Sequence, residues 1–583
     1  HAPVRSFPLS DIDADRIADH AADLAGWLAE RTDVPLGDLA HTLHRRTGRG
    51  RARAAVVARD RAGLLDGLGA LAAGEPHPAV VTGTALGRPT APVWVFSGFG
   101  GWRPQMAQSL LAEEPAFTEA IDDIDPLMAE EGGFSLWEFI EDGEDDPHPG
   151  RLMMALFGIQ VGLARMWASY GITPAAVIGH SMGEVAAAVV AGKLSLADGV
   201  KVICRRVKVM LRVVGGGTMA VIGASEQEVR ELARDLPEVH PAVLSSPKQT
   251  VVTGDSEQIA EILHRAGAQG RLARPVKIPG AGHSPKMEPL LPDLRAALAD
   301  IAEEEGTPLA PGIAFYSTAL GDPRGATVLD ADYWAANLRN PVRLTDAVSA
   351  AADDGHRTFV EIGVHPLLTA ALTETLEGTG ALITHTLKRA PKGQETDDTL
   401  TFHAQLALLA ANGYRVAEPA GTLIELPPLR WRHERHWAKP PSRRTAGRDE
   451  HPLLGVHVEL PGEDRHAWRG EAGTAAHPWL TETGVHGLTV LPVAALAEMA
   501  LAAGAQALGT DAVRLHGLHV ARTFAPGEQA TVTTTFGEAD HRVEISARNA
   551  AGQWVRLAEA EVTTDDEPPC AAEADASGVE IAA

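Results

Sequence analysis

Apolar positions along the chain change their spacing several times, and each change marks an element. They recur at helical spacing over residues 11–30, form a short strand-like run from Ala54 to Ala58, and turn helical again from Arg61 to Ala72. A small α/β unit is expected there. Gly74 to Pro92 is a glycine- and proline-rich joint, after which Val93-Trp94-Val95-Phe96 reads as a buried strand bounded by a glycine cluster. Helical periodicity spans Ala155 to Tyr170, and Ala175 to Ile178 is a second buried strand that runs into Gly179-His180-Ser181-Met182-Gly183-Glu184. Met219 to Ile222, Ala242 to Leu244, Thr250 to Val252 and Val276 to Ile278 are predicted strands, with helices at Glu226 to Leu236 and Gln258 to Ala266. That order is a ferredoxin-like split βαβ. The main pattern resumes through His283, Tyr333 to Val342 and Thr358 to Glu361, and ends near Leu387. A Lys/Gly/Asp-rich linker, an amphipathic helix (Leu400 to Asn412) and Leu426 to Trp437 lead into Pro440-Pro441-Ser442-Arg443-Arg444. From His451 strand-type alternation takes over, notably at Gln529 to Phe536 and His541 to Ala547, and Thr563 to Ala583 reads as a disordered tail.

Length and composition limit the possibilities. The chain has 583 residues, and at roughly 100–200 residues per domain it holds three or four units. Expected boundaries are 1–90, 91–390 with a subdomain at 217–280, 391–445, 446–565 and a tail at 566–583. Hydrophobic residues make up 45% and charged residues 22%, the balance of a soluble globular enzyme. Apolar runs are broken by Arg, Asp or Gly short of a membrane span, and the opening His1-Ala2-Pro3 is no signal peptide. Only Cys204 and Cys570 are present, which argues against a disulfide framework or a cysteine metal site and for a reducing, cytoplasmic setting. A net charge of −26 disfavours nucleic acid and anionic membranes as partners. Anionic ligands would need a local basic patch. With no initiator Met, the chain reads as a piece of a larger polypeptide.

The strongest chemical signal is Gly179-His180-Ser181-Met182-Gly183. It matches a nucleophile elbow, whose glycines permit the sharp strand-to-helix turn that presents the serine oxygen. The helix beginning beneath Ser181 offers backbone N–H groups, Met182 among them, to a developing oxyanion. A serine needs a base. Of 24 histidines, His283 stands 102 residues on, just after the last predicted strand of the inserted subdomain.

From residue 1 to about 440 the chain resembles the linker, acyltransferase and post-acyltransferase stretch of type I modular polyketide synthases. The resemblance is carried by Gly98-Phe99-Gly100, the GHSMGE elbow, Arg206 at 25 residues past the serine, Gly280-Ala281-Gly282-His283-Ser284-Pro285, Tyr333-Trp334-Ala335-Ala336-Asn337-Leu338-Arg339 and Leu426-Pro427-Pro428. It implies a doubly wound α/β, hydrolase-like core with an inserted ferredoxin-like subdomain, after an N-terminal α/β linker. It further implies a Ser181–His283 dyad and an Arg206 that forks onto the free carboxylate of a malonyl-like acyl group, with adjacent Arg205 as the alternative. Phe99 stands where the family has Gln, so it keeps a backbone oxyanion donor beside that of Met182 and otherwise lines the acyl pocket. Asn337 takes the position whose side chain helps orient the histidine.

Implied substrates are acyl-coenzyme A and the phosphopantetheine thiol of an acyl carrier protein, with no bound cofactor or metal; the ketosynthase and other domains of the synthase are implied partners. Gly282 stands where malonyl-selecting relatives have a bulky Phe, and the flexible Met153 and Met182 line the space so opened, which favours an alkyl-substituted malonyl unit, methylmalonyl first and ethylmalonyl or larger second. Competing readings are a serine thioesterase or hydrolase using water as acceptor and a structural megasynthase fragment.

The last 115 residues or so resemble the first half of a synthase dehydratase, an α+β hotdog half, through His451-Pro452-Leu453-Leu454-Gly455, Trp468-Arg469-Gly470 and His477-Pro478-Trp479-Leu480. The family's catalytic histidine position falls on Thr483, ahead of Gly487 and Pro492, and His486 is out of register. Threonine cannot act as the base, so an inactive, structural or dimerising unit is expected.

Overall fold

The computed structural model describes residues 2–564 except 47–49, 86, 88, 144, 147, 214–216, 277–281, 302–305, 326–327, 391–395, 431–450, 461–463 and 550–551. Gly280, Ala281, Cys570, the Pro440–Arg444 run, the end of the Leu426–Trp437 segment and the tail from 566 therefore lie outside the described residues. The chain divides into two compact units, His1–Trp431 and Arg432–Ala583.

The first unit opens with an antiparallel sheet in which β1 (Arg5–Asp11) and β3 (Val80–Thr84) flank β2 (Ala52–Ala58). Helices Ala14–Glu30 and Arg61–Ala73 bury Leu24, Leu28, Leu64 and Leu68 against Phe7, Leu9 and Val56. The expected helix from residue 11 begins three residues later, because Asp13 turns the chain and caps it by accepting from Arg16 N. The sequence pattern does not reveal β1, β3 or helix Leu36–Arg46. β3 lies within the expected joint, and its Gly83 sits where a Cβ would come 2.9 Å from Ala411 of helix Asp398–Ala411. That helix covers the other face of the sheet through Ala404 and Ala407.

The core sheet begins with β4 (Val93–Phe96) and β5 (Ala176–Gly179). An insertion follows, made of β6 (Thr218–Ile222), β7 (His240–Ser246), β8 (Gln249–Gly254) and β9 (Ala273–Val276) with helices Glu226–Leu232 and Ser256–Ala268. Its antiparallel order β7-β8-β6-β9 is that of the ferredoxin-like fold. The main sheet then resumes with β10 (Ala314–Tyr316), β11 (Thr358–Ile362) and β12 (Leu382–His385), giving the all-parallel order β10-β5-β4-β11-β12. Helix Pro149–Ser169 packs in the large core cluster, while Leu344–Asp353 and Thr369–Thr375 pack with Val93, Val95 and Phe359 in another. This is the expected doubly wound arrangement. One expectation is corrected: Pro149–Ser169 is long and apolar enough to cross a membrane by length and composition, but most of its residues are buried in the protein core.

In the second unit a six-stranded antiparallel sheet places Val456–Glu459, Arg465–Glu471, Thr531–Gly537, Arg542–Arg548, Trp554–Thr564 and Val513–Val520 side by side. It packs on helix Val493–Leu508 through Met499, Trp468, Phe536 and Leu557, a hotdog half. The helix is alanine-rich and apolar on most faces, so its sequence shows no amphipathic stripe.

Candidate active site

Two glycines set the turn between β5 and its helix. A Cβ on Gly179 would fall 2.2 Å from Glu184 Cα, and one on Gly183 would fall 2.4 Å from the Phe96 carbonyl oxygen. Any other residue would push the helix off the strand. Between them Ser181 adopts φ 55°, a left-handed conformation that is strained for a residue with a Cβ. Its carbonyl is held by Glu184 N and Asn337 Nδ2, each at 3.1 Å.

His283 reaches the serine from the segment after the insertion. Its Nε2 lies 2.8 Å from Ser181 Oγ, and Nδ1 lies 2.9 Å from the Asn340 carbonyl oxygen. A carbonyl only accepts, so Nδ1 carries the hydrogen and Nε2 is left as the base. Burial, and secondarily the positive charge of Arg206, lower the His283 pKa to about 3. The ring is thus neutral at physiological pH.

Serine acylation is therefore expected to keep a level kcat/KM from about pH 8 to about pH 5, with no acid limb at the unperturbed histidine value of about 6.5. Stopped-flow acylation across that range is the check, and a limb near 6.5 would refute the buried-base geometry. The depressed folded value also means that this histidine's contribution to stability is present above pH 6.5 and is lost as pH falls toward 3.

Asn337 departs from expectation. Its amide does not orient the histidine; Nδ2 donates to the Ser181 carbonyl and, at 2.8 Å, to Glu184 Oε2, so it steadies the elbow and does not line the cavity. The histidine is oriented by a backbone carbonyl three residues on, a partner that has no side-chain signature. Glu184, Tyr333 and Thr318 join the site without having been expected there. Glu184 is fully buried and accepts from Tyr333 Oη (2.8 Å), Thr318 Oγ1 (2.9 Å) and Thr318 N. Tyr333 and Asn337, four apart on helix Ala331–Arg339, share the face that meets it.

The two adjacent arginines go to different partners. Arg205 takes Glu131 in a fork, at 2.7 and 3.1 Å, and also pairs with Asp300. Arg206, one residue or about 100° further round helix Leu196–Met210, is 2% exposed and brings Nη2 to 3.4 Å from Ser181 Oγ. No carboxylate pairs with it among the described residues, and its Nε has no partner there. Burial lowers its pKa to about 10, which leaves it charged at neutral pH. Ser195 caps this helix by accepting from Asp198 N, while the Asp198 carboxylate pairs with Lys201.

Ser181, His283 and Arg206 open into a cavity of about 190 Å³. Met219 and Val221 of β6, Val243 of β7, Val251 of β8 and Val276 of β9 wall one side. They belong to one face of the inserted sheet, while Ala220, Ile222 and Val252 of the opposite face pack on its helices. Phe99, Met153, Met182 and Gly282 all line the cavity as expected, and a Cβ on Gly282 would meet nothing within 4 Å.

In the second unit the Thr483 hydroxyl lies 2.8 Å from each of the Leu480 and Val490 carbonyl oxygens, and its one hydrogen goes to either of them. His486 sits at φ 51° in the hairpin between Gly484–Val485 and Leu488–Thr489, exposed.

Comparison with known proteins agrees with this geometry. Residues 93–413 match the acyl transferase domain family, residues 451–548 the polyketide synthase dehydratase domain, and residues 9–75 the RhiE-like KS-MAT linker domain. The chain is 42% identical over 570 residues, 96% of its length, to a phenolphthiocerol/phthiocerol polyketide synthase polypeptide of Mycobacterium tuberculosis. It is 40% identical over 558 residues, 92% of its length, to a mycocerosic acid synthase-like polyketide synthase of Mycolicibacterium smegmatis. It spans only 30% and 26% of those proteins. The acyltransferase domain from module 8 of the salinomycin polyketide synthase superposes with a TM-score of 0.65 at 33% identity, covering 71% of this chain and 97% of that one. The acyltransferase domain of SpnD, in complex with 2-(pent-4-yn-1-yl)malonyl, gives 0.61 at 25% identity over 70% and 96%. With an elbow serine, a base 2.8 Å away and a family match over more than half its length, the chain belongs to the acyl transferase domain family of polyketide synthases, flanked by the linker and the dehydratase half of such a synthase.

Proposed function

We propose that the first unit moves an alkyl-substituted malonyl group from coenzyme A through an ester on Ser181 to the phosphopantetheine thiol of an acyl carrier protein. His283 Nε2 takes the Ser181 proton as Oγ attacks the thioester carbonyl, and the Phe99 and Met182 N–H groups receive the oxyanion. Collapse expels the coenzyme A thiolate, which takes the proton from His283. The carrier thiol then repeats the sequence in reverse order of roles. The observation that carries this reading is Arg206, a buried cation 3.4 Å from the nucleophile and without a carboxylate of its own among the described residues. A guanidinium in that position matches the second carboxylate of a malonyl unit, whereas plain acyl esters, the substrates of a hydrolase, offer it nothing.

The open space at Gly282 and the valine wall favour an α-alkyl substituent, methyl first and ethyl or larger second. A related acyltransferase domain was solved with a pentynylmalonyl group. In competition between malonyl and methylmalonyl coenzyme A, intact-protein mass spectrometry is expected to find mostly methylmalonyl on Ser181. The preference should be modest, since one methylene in an apolar pocket discriminates by about 1–3 kcal/mol. Gly282→Phe fills the open space and should turn the ratio toward malonyl; an unmoved ratio would place selectivity elsewhere.

The hotdog half does not dehydrate on this reading. The hydroxyl at the expected base position, Thr483, is occupied by local carbonyls, which leaves a structural part beside the ketosynthase and other domains of the synthase.

A further inference from the structure

A row of strand ends links the nucleophile to a patch of cations. The order β5-β4-β11-β12, with Phe96 paired to both Gly179 and Ile362, aligns the four C-terminal ends. Ser181 follows β5, Phe99 follows β4, His365 follows β11, and Lys388 and Arg389 follow β12, which ends on His385. Gly100 and Gly101, at φ 141° and 79°, lie against this far end: a Cβ on Gly101 would meet His365 Cβ at 2.9 Å, and one on Gly100 would meet Leu367 Cδ1 at 3.2 Å. The Phe99 loop thus runs from the cavity to the patch, with no side chain on Gly100 or Gly101 where it meets His365 and Leu367.

Lys388 and Arg389 are exposed. The charges acting on His365 are those of Arg389 and Lys388, and those acting on His385 come from Lys388 and His365, with no carboxylate among them. Arg389 N donates to His365 Nδ1 at 3.3 Å, which leaves the ring hydrogen on Nε2. Glu361, near the end of β11, has its carboxylate occupied by the N–H groups of Leu367, Leu368 and Thr369. In a chain of net charge −26 a cationic cluster that no carboxylate pairs with among the described residues stands out as an anion site.

Reach selects the anion. Neighbouring strands are about 4.8 Å apart, so three spacings separate the Ser181 strand from the Lys388 strand by ~15 Å. Between sulfur and phosphate the pantetheine arm has about thirteen backbone atoms, equal to roughly four residues of extended chain, or ~15 Å. Coenzyme A places two linked phosphates at that distance and a carrier-protein arm only one phosphodiester. Two cations with two ring N–H donors match the former.

Building on the acyltransferase reading, we infer that His365, His385, Lys388 and Arg389 bind the diphosphate of the acyl-coenzyme A donor. The test is the double variant Lys388→Glu/Arg389→Glu in the full chain. Binding of unacylated coenzyme A by calorimetry should weaken at least tenfold, and KM for methylmalonyl coenzyme A should rise by a similar factor. Acylation of Ser181 by the phosphate-free N-acetylcysteamine thioester should change less than twofold, which controls for folding. Unchanged coenzyme A binding overturns the inference, as does equal weakening with both donors or a defect confined to transfer onto the carrier protein. Because the calorimetry needs no turnover, wild-type protein that binds coenzyme A at this patch yet never acylates Ser181 would refute the acyltransferase reading and leave the phosphate site standing.

Discussion

His283→Ala is expected to slow Ser181 acylation by several powers of ten, on the order of 10⁶-fold, and Ser181→Ala to leave no covalent adduct at all. The magnitude follows from the arrangement. Nε2 at 2.8 Å is the proton acceptor that the hydroxyl has, and Nδ1 is already committed to the Asn340 carbonyl. Without the ring, the oxyanion donors and Arg206 still position the thioester, so the residual rate stays above the uncatalysed one. Single-turnover mass spectrometry measures the adduct, and thermal unfolding separates lost chemistry from lost fold. A His283→Ala protein that acylates at the wild-type rate would remove the dyad.

Arg206→Ala is expected to lower kcat/KM for malonyl-type donors by roughly 1.5–3 kcal/mol, the worth of a hydrogen bond to a charged group, while acetyl coenzyme A loses little or gains. Fold stability should change little, because relief from the desolvation of the buried guanidinium offsets the lost attraction of the buried Glu184 carboxylate. A second readout has a definite sign. Arg206 depresses the His283 pKa, so its removal raises that value, and the acid limb of acylation should move to higher pH. Equal losses for dicarboxylic and monocarboxylic donors, with the limb unmoved, would make Arg206 a structural residue.

Part of the site is legible in the amino-acid sequence because its signals are local. The elbow needs glycine at two positions flanking a serine after a strand, and Gly179 and Gly183 are where a Cβ would strike Glu184 and the Phe96 carbonyl. The ferredoxin-like insertion is legible for the same kind of reason, since its strands alternate and its helices carry capping residues such as Ser225 and Asp255. His283 and Arg206 need the family resemblance, because nothing in their own neighbourhoods distinguishes them from 23 other histidines or from Arg205.

Tertiary structure alone decides the rest. Arg205 and Arg206 are identical side chains one residue apart, and only packing delivers Glu131 and Asp300 to the first and Ser181 to the second. Asn337, expected at the histidine, instead holds the serine carbonyl and Glu184, while the histidine is oriented by the main chain of Asn340. A backbone acceptor is common to every residue, so sequence cannot mark the one that is used. β1 and β3 escape detection because each is a short strand that acquires its place from β2 and from a helix more than 300 residues away. Short-range chemistry, turns, caps and alternation, is written in neighbouring residues. Which charge is left unpaired beside which nucleophile depends on contacts between distant segments, and that is settled only when the chain is folded.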